Sequence, residues 1–210
     1  MNAISTDEIN MDSLDSSTQL YENSHFEGLD CEEQVLAGLE FEYCEFENCN
    51  FREAFFNRCT FLDCRFVNSD LSLAKLGYSR FSQISFEDCK LLALNWTNVS
   101  WPSFVPRAVL SFHRCQLSNS TFYGLTLNEL EMAECRVHDV DFREADLSSS
   151  NFAESDFASS SFSNTDLSTA NFADAYNYTI DIQNNNVKGA TFSRQEATSL
   201  LESLGIILVD

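Results

Sequence analysis

The chain has 210 residues, with 33 Asp and Glu against 12 Lys and Arg, a formal net charge of −21 and a pI near 4.2. That balance argues against direct binding to nucleic acid or to an anionic membrane and favours basic partners. No apolar run reaches the roughly 18 residues of a membrane-spanning helix. The acidic start MNAISTDEIN lacks the charged-then-apolar order of a secretion signal, so a cytoplasmic location is expected.

Residues 1–20 are polar and acidic and carry no repeat. They are expected to form a poorly ordered extension. From Tyr21 a repeat sets in. A large apolar residue falls on every fifth position: Phe41, Phe46, Phe51, Phe56, Phe61, Phe66, Leu71, Leu76, Phe81 and Phe86. Two residues before most of them stands a small one: Cys44, Cys49, Ala54, Cys59, Cys64, Ser69, Ala74 and Ser79. Such a repeat decides the fold before any single element does. Period five scatters side chains around a helix, at about 100° per residue. Residues two apart share one face of a strand. The pattern therefore predicts short extended sides joined by bends, with one small and one large residue pointing inward on each side.

The register holds through Leu91, Trp96 and Trp101 and then breaks over 102–111, which contains both prolines, Pro102 and Pro106. It resumes at Phe112, shifted by one net residue, and runs through Leu117, Phe122, Leu127, Met132, Val137, Phe142, Leu147, Phe152, Phe157, Phe162, Leu167 and Phe172. It weakens at Asn177, Ile182 and Val187 and returns at Phe192. Proline cannot donate to a strand ladder. The break is therefore expected to project, presenting Phe104, Val105 and Arg107 to a partner.

The tail 193–210 changes character. Ser193 and Glu196 have the spacing of a capping box, Ala197, Leu200, Leu201 and Leu204 recur at helical spacing, and Gly205 suits the residue after a helix. A helix here would cover the open end of the last coil. Leu200, Leu201 and Leu204, with the apolar run Ile206, Ile207, Leu208 and Val209, read as a dimerisation segment.

The repeat resembles that of the pentapeptide-repeat proteins, whose consensus is A(D/N)LXX with Leu or Phe at the centre. The resemblance implies an all-β fold: a right-handed quadrilateral β-helix with five-residue sides and twenty residues per coil, here spanning 21–192. Within that family the chain looks like the topoisomerase-protecting group of quinolone-resistance, microcin-immunity and albicidin self-resistance proteins. The closer likeness rests on Asn95-Trp96-Thr97, Trp101-Pro102-Ser103, Leu110-Ser111-Phe112, Phe122-Tyr123-Gly124-Leu125, Glu134 to Asp139, Asn177-Tyr178, Ile180-Asp181-Ile182 and the ending from Ala197. It implies a homodimer that binds DNA gyrase or topoisomerase IV and protects it from a poison of the albicidin kind. The two large projecting loops of the quinolone-resistance members are replaced by the short break alone, which puts action against quinolones in doubt.

Little points to an enzyme. Of the eight cysteines, seven fall at the small inward position and Cys31 at a central one, with no CxxC pair. His25, His113 and His138 are isolated, so no catalytic residue, metal or cofactor is expected. Charge is the informative feature. From Glu22 to Asp181 no acid occupies a central or small inward position, as the cost of burying charge demands. Residues 1–50 hold 13 acids and no Lys or Arg. Residues 139–181 contain the acids Asp139, Asp141, Glu144, Asp146, Glu154, Asp156, Asp166, Asp174 and Asp181, against Arg143 as the one Lys or Arg in that stretch. At twenty residues per coil, Glu134, Glu154 and Asp174 fall in one column and Asp146 and Asp166 in another. Like charges ~5 Å apart repel, and a sequence tuned for stability alone would alternate signs.

These acids are the expected partner-binding residues of a nucleic-acid mimic. Two rods joined at their C-termini would be about 80 Å long, a length of B-DNA holding about 47 charges; the dimer would carry −42, twice the chain's −21. The alternative is a structural or scaffolding repeat protein with no topoisomerase partner.

Overall fold

A computed structural model of the chain describes residues 20–101, 109–207 and 209. The extension before Leu20, expected to be poorly ordered, the expected contact residues Phe104, Val105 and Arg107, and the expected dimerisation residue Leu208 lie outside those residues.

The described chain is a parallel β-solenoid with four sides to a coil. Leu20–Glu22, Glu40–Glu42, Thr60–Leu62 and Arg80–Ser82 pair on the first side, with Tyr21, Phe41, Phe61 and Phe81 in register. On the second side Phe26, Phe46, Phe66, Phe86, Phe112, Met132, Phe152, Phe172 and Phe192 form one continuous column. Its eight steps at ~4.8 Å make a rod roughly 40 Å long. The third side carries Cys31, Phe51, Leu71 and Leu91, and the fourth Leu36, Phe56, Leu76 and Trp96. Coils advance by twenty residues, as the period requires, except at the break and near the C-terminal end, where Phe162 pairs with Ile180. Phe86 pairs with Phe112, so the coil containing the break is longer by six residues: one whole side plus one. Counting phase alone reveals only the one.

The core is a column of rings. Phe46 stacks on Phe26 at 4.9 Å and on Phe66 at 4.6 Å, and meets Phe41 and Phe51 edge-on. Trp96 continues the packing beneath Phe122. Small inward residues line the wall, and they do more than leave room. Ser69 Oγ donates to the carbonyl of Phe46 in the coil below and accepts from the amide of Cys49. Ser79, Ser155 and Thr165 likewise donate to Phe56, Met132 and Phe142. Cysteine thiols take the same place, Cys44 on Tyr21 and Cys59 on Leu36. These side chains satisfy backbone groups that bends leave unpaired. Where the bend closes on itself, as Ala54 N–H does on Phe51 O, alanine suffices. Burial pushes the Cys31 thiol up to about 12 and the Cys49 thiol up to about 11, so both stay protonated.

Two stretches depart from the expected register. Between Tyr176 and Asn186 the buried residues are Tyr178, Ile180 and Asn185, while Asn177 is exposed and Ile182 half-buried. Asn177 takes a left-handed φ of 58° two residues before the corner expected at 179, and Phe162 pairs with Ile180, two residues short of the regular twenty. Asn185 stands in for the small inward residue, accepting from Thr165 N–H and donating to the carbonyls of Phe162 and Asp181. At the end, the helix Thr198–Glu202 is only five residues long and has no side-chain cap. Ser193 is not its cap, because its hydroxyl is engaged with Asp174, accepting from the amide and donating to the carboxylate. Gly205 does end it: at φ 72° it donates to Glu202 O, and Ile206 donates to Leu201 O.

Candidate partner-binding surfaces

The sequence-predicted acids are spread over all four sides. Glu134, Glu154 and Asp174 do share one corner, after the second side, with backbone amides pairing coil to coil. Asp146 and Asp166 are neighbours on the first side. Asp139 stands alone on the next corner. Asp141, on the fourth side, is clamped by both arms of Arg143 at 2.8 Å, which holds its carboxyl below the usual range. Asp156, on the third side, accepts from Asn177 at 2.8 Å and meets His138 Nε2 at 2.6 Å. Burial works to raise its pKa, but those hydrogen bonds outweigh it and hold the carboxyl low. Asp141 and Asp156 are thus engaged within the rod, and no single face gathers all the predicted residues.

Outside the predicted columns, signs do alternate on the second side. Arg65 bridges Glu45 and Glu87, and Arg114 bridges Glu87 and Asp88. His113 lies 3.4 Å from Glu134. The guanidinium of Arg65, then that of Arg114, holds Glu87 below its ordinary pKa. Twenty-residue spacing makes Glu45 and Arg65 neighbours, but the arm of Arg114 to Glu87 crosses the longer coil, so linear counting misses it. The uncompensated part of that corner is Glu154 and Asp174, which form no ion pair among the described residues.

Conformation sharpens the meaning of the acids. Nearly every corner residue, two after each central one, has a left-handed φ, including Glu33, Glu53, Glu129, Glu134, Glu144 and Glu154 at 55–62°. Glycine and asparagine suit this region, and Glu has no local advantage there. The same corners also hold Tyr43, Arg58, Leu73, Ala93 and Ser149, so the backbone there does not call for an acid.

The predicted dimerisation residues lie at the open end. Leu200 packs against the core, while Leu201, Leu204, Ile206, Ile207 and Val209 are exposed, Ile207 by 88% and Val209 by 90%. No helix among the described residues is long and apolar enough to cross a membrane.

Three structures of QnrB1, a plasmid-mediated fluoroquinolone resistance protein, share this architecture. One trypsin-treated form is 23% identical over 96% of this chain and 94% of that one, with a TM-score of 0.69. A second is 25% identical over 92% of both, at 0.63, and the full-length form is 20% identical over 89% and 90%, at 0.62. A search of curated proteins finds no match. The model of the pentapeptide repeat region matches residues 39–105 and 108–172. With most of its length so matched, the chain belongs to the pentapeptide-repeat family.

Proposed function

We propose that this protein binds a type II topoisomerase, DNA gyrase or topoisomerase IV, on its DNA-gripping surface and shields it from a topoisomerase poison of the albicidin kind. The likeness to a fluoroquinolone resistance protein over 92% of both chains carries the reading. The role is non-catalytic and cytoplasmic. A rod of DNA-like charge is drawn to a basic channel by the field that draws DNA. The acids at left-handed corners, Glu134 and Glu154 among them, supply that charge. The exposed C-terminal residues from Leu201 to Val209 join two rods end to end, and Phe104, Val105 and Arg107 add a specific contact.

The test is a gyrase supercoiling assay with albicidin or ciprofloxacin, titrating this protein. Recovery of supercoiling in the presence of the drug is the expected result; no recovery and no binding to the enzyme overturns the reading. Alanine at Phe104, Val105 and Arg107 should abolish recovery while leaving the melting temperature in place. The ion-pair ladder from Glu45 to Arg114 favours a second reading, a scaffold whose surface charge serves solubility and stability; that reading expects no effect on the enzyme at any concentration.

A further inference from the structure

The fourth side differs from the rest of the rod. In its first four coils it carries residues 35–38, 55–58, 75–78 and 95–98, and none of these is Asp or Glu, in a chain of net charge −21. The side is apolar and basic instead. Val35 is 65% exposed. Phe55, an outward-pointing ring, lies over Gly77, where an added Cβ would meet the ring at 3.2 Å. Lys75 is exposed beside it.

At the edge where this side turns into the first one lies a groove of about 440 Å³. Arg58 and Arg80 flank it, Thr60 lies between them, and Tyr78 and Ser100 close it toward the break. Both arginines are exposed, and neither forms an ion pair among the described residues, although Arg52, Arg65, Arg114 and Arg143 each hold a carboxylate. Glu40 lines the same groove, but Thr60 stands between it and Arg80 in the ladder, and it pairs with neither. Two unpaired guanidinium forks beside hydroxyl donors suit a carboxylate. The apolar residues alongside suit side chains attached to it.

We propose that this groove and the acid-free side next to it dock an acidic, leucine-bearing polypeptide segment of a partner protein, with a carboxylate between Arg58 and Arg80 and apolar side chains on Val35 and Phe55. The charge of the site is opposite to that of the surrounding rod, so this partner engages a different chemistry from the basic surface proposed above, and the two proposals stand or fall separately.

The experiment follows the arginine Nε–Hε signals of the full chain by NMR, with Arg58 and Arg80 assigned through R58Q and R80Q. The probe is an acetylated decapeptide of repeating Leu-Glu-Glu, with a Leu-Gln-Gln peptide and inorganic phosphate as separate arms. The Glu peptide is expected to shift both arginine signals saturably, and the Gln peptide to leave them in place. R58Q/R80Q, whose melt should match the parent because both side chains are exposed, is expected to bind the Glu peptide at least tenfold more weakly. Val35→Asp should weaken it as well, which a bare anion site would not show. Absence of a saturable shift, binding unchanged in R58Q/R80Q, or phosphate binding more tightly than the Glu peptide overturns the proposal.

Discussion

Ser155 Oγ donates to the carbonyl of Met132, one coil below, at 2.9 Å, and the same oxygen accepts from the amide of Cys135 at 2.9 Å. One hydroxyl thus closes two backbone groups inside the wall. Ser155→Ala should leave both unsatisfied, at a cost of about 1–3 kcal/mol. In a chain of this size each kcal/mol lowers Tm by about 2–4 °C. Ser155→Cys should lose less, since thiols already fill this role at Cys44 and Cys59. Thermal melts of the two variants check it; an Ala variant as stable as the parent would show that the bridge adds nothing.

Phe61 is 1% exposed and stacks on Phe41 at 5.0 Å and on Phe81 at 4.9 Å. Phe61→Asp puts an unpaired charge among these rings, a cost of several kcal/mol. The expected outcome is loss of the cooperative circular dichroism transition.

Asp156 provides a pH test. Its carboxyl is held below the ordinary range in the folded chain, so its contribution is present above the unfolded pKa of about 4 and is lost as pH falls through the lower folded value. Asp156→Asn should therefore melt below the parent at pH 7, and the gap should close below about pH 4. Comparing the two cancels the general easing of acid repulsion on acidification. A gap that widens toward low pH has the wrong sign.

Charge steering predicts a salt effect on the proposed enzyme partner. Binding should weaken as salt rises. Replacing Glu134 and Glu154 by Gln and Asp174 by Asn should leave the melt near that of the parent and flatten the slope of log Kd against log salt. An unchanged slope assigns this corner to solvent alone.

Deleting residues 205–210 removes Ile206, Ile207 and Val209, all exposed. The expected product is a folded monomer by light scattering, against a dimer for the full chain. A monomeric full chain refutes the end-to-end pairing.

The inward positions were legible because period five holds over most of the chain: each side turns one large apolar residue and one small residue inward, and charge stays outside. The charge placement was legible for the same reason. What the spacing hid was a matter of reach and conformation. The arm of Arg114 crosses a coil lengthened by six residues, which phase counting folds down to one. Asn177 in a left-handed φ slides the register where the apolar signal had thinned. Ser193 has the chemistry of a helix cap, but Asp174 in the coil below lies at 2.7 Å through its amide and claims the hydroxyl. Arg58 and Arg80 are 22 residues apart in sequence, and only the corner between two sides brings them to one groove.

The pairing of Ile84–Glu87 with Leu110–His113 is complete across the lengthened coil. The stack above and below does not register the extra residues. Chain length between these two strands is thus decoupled from pitch, and added length costs only about 0.6 kcal/mol per doubling in closure entropy. Descendants of this gene are free to lengthen or rewrite the segment while inheriting an unaltered rod, and an engineer is free to graft a foreign epitope there on the same terms.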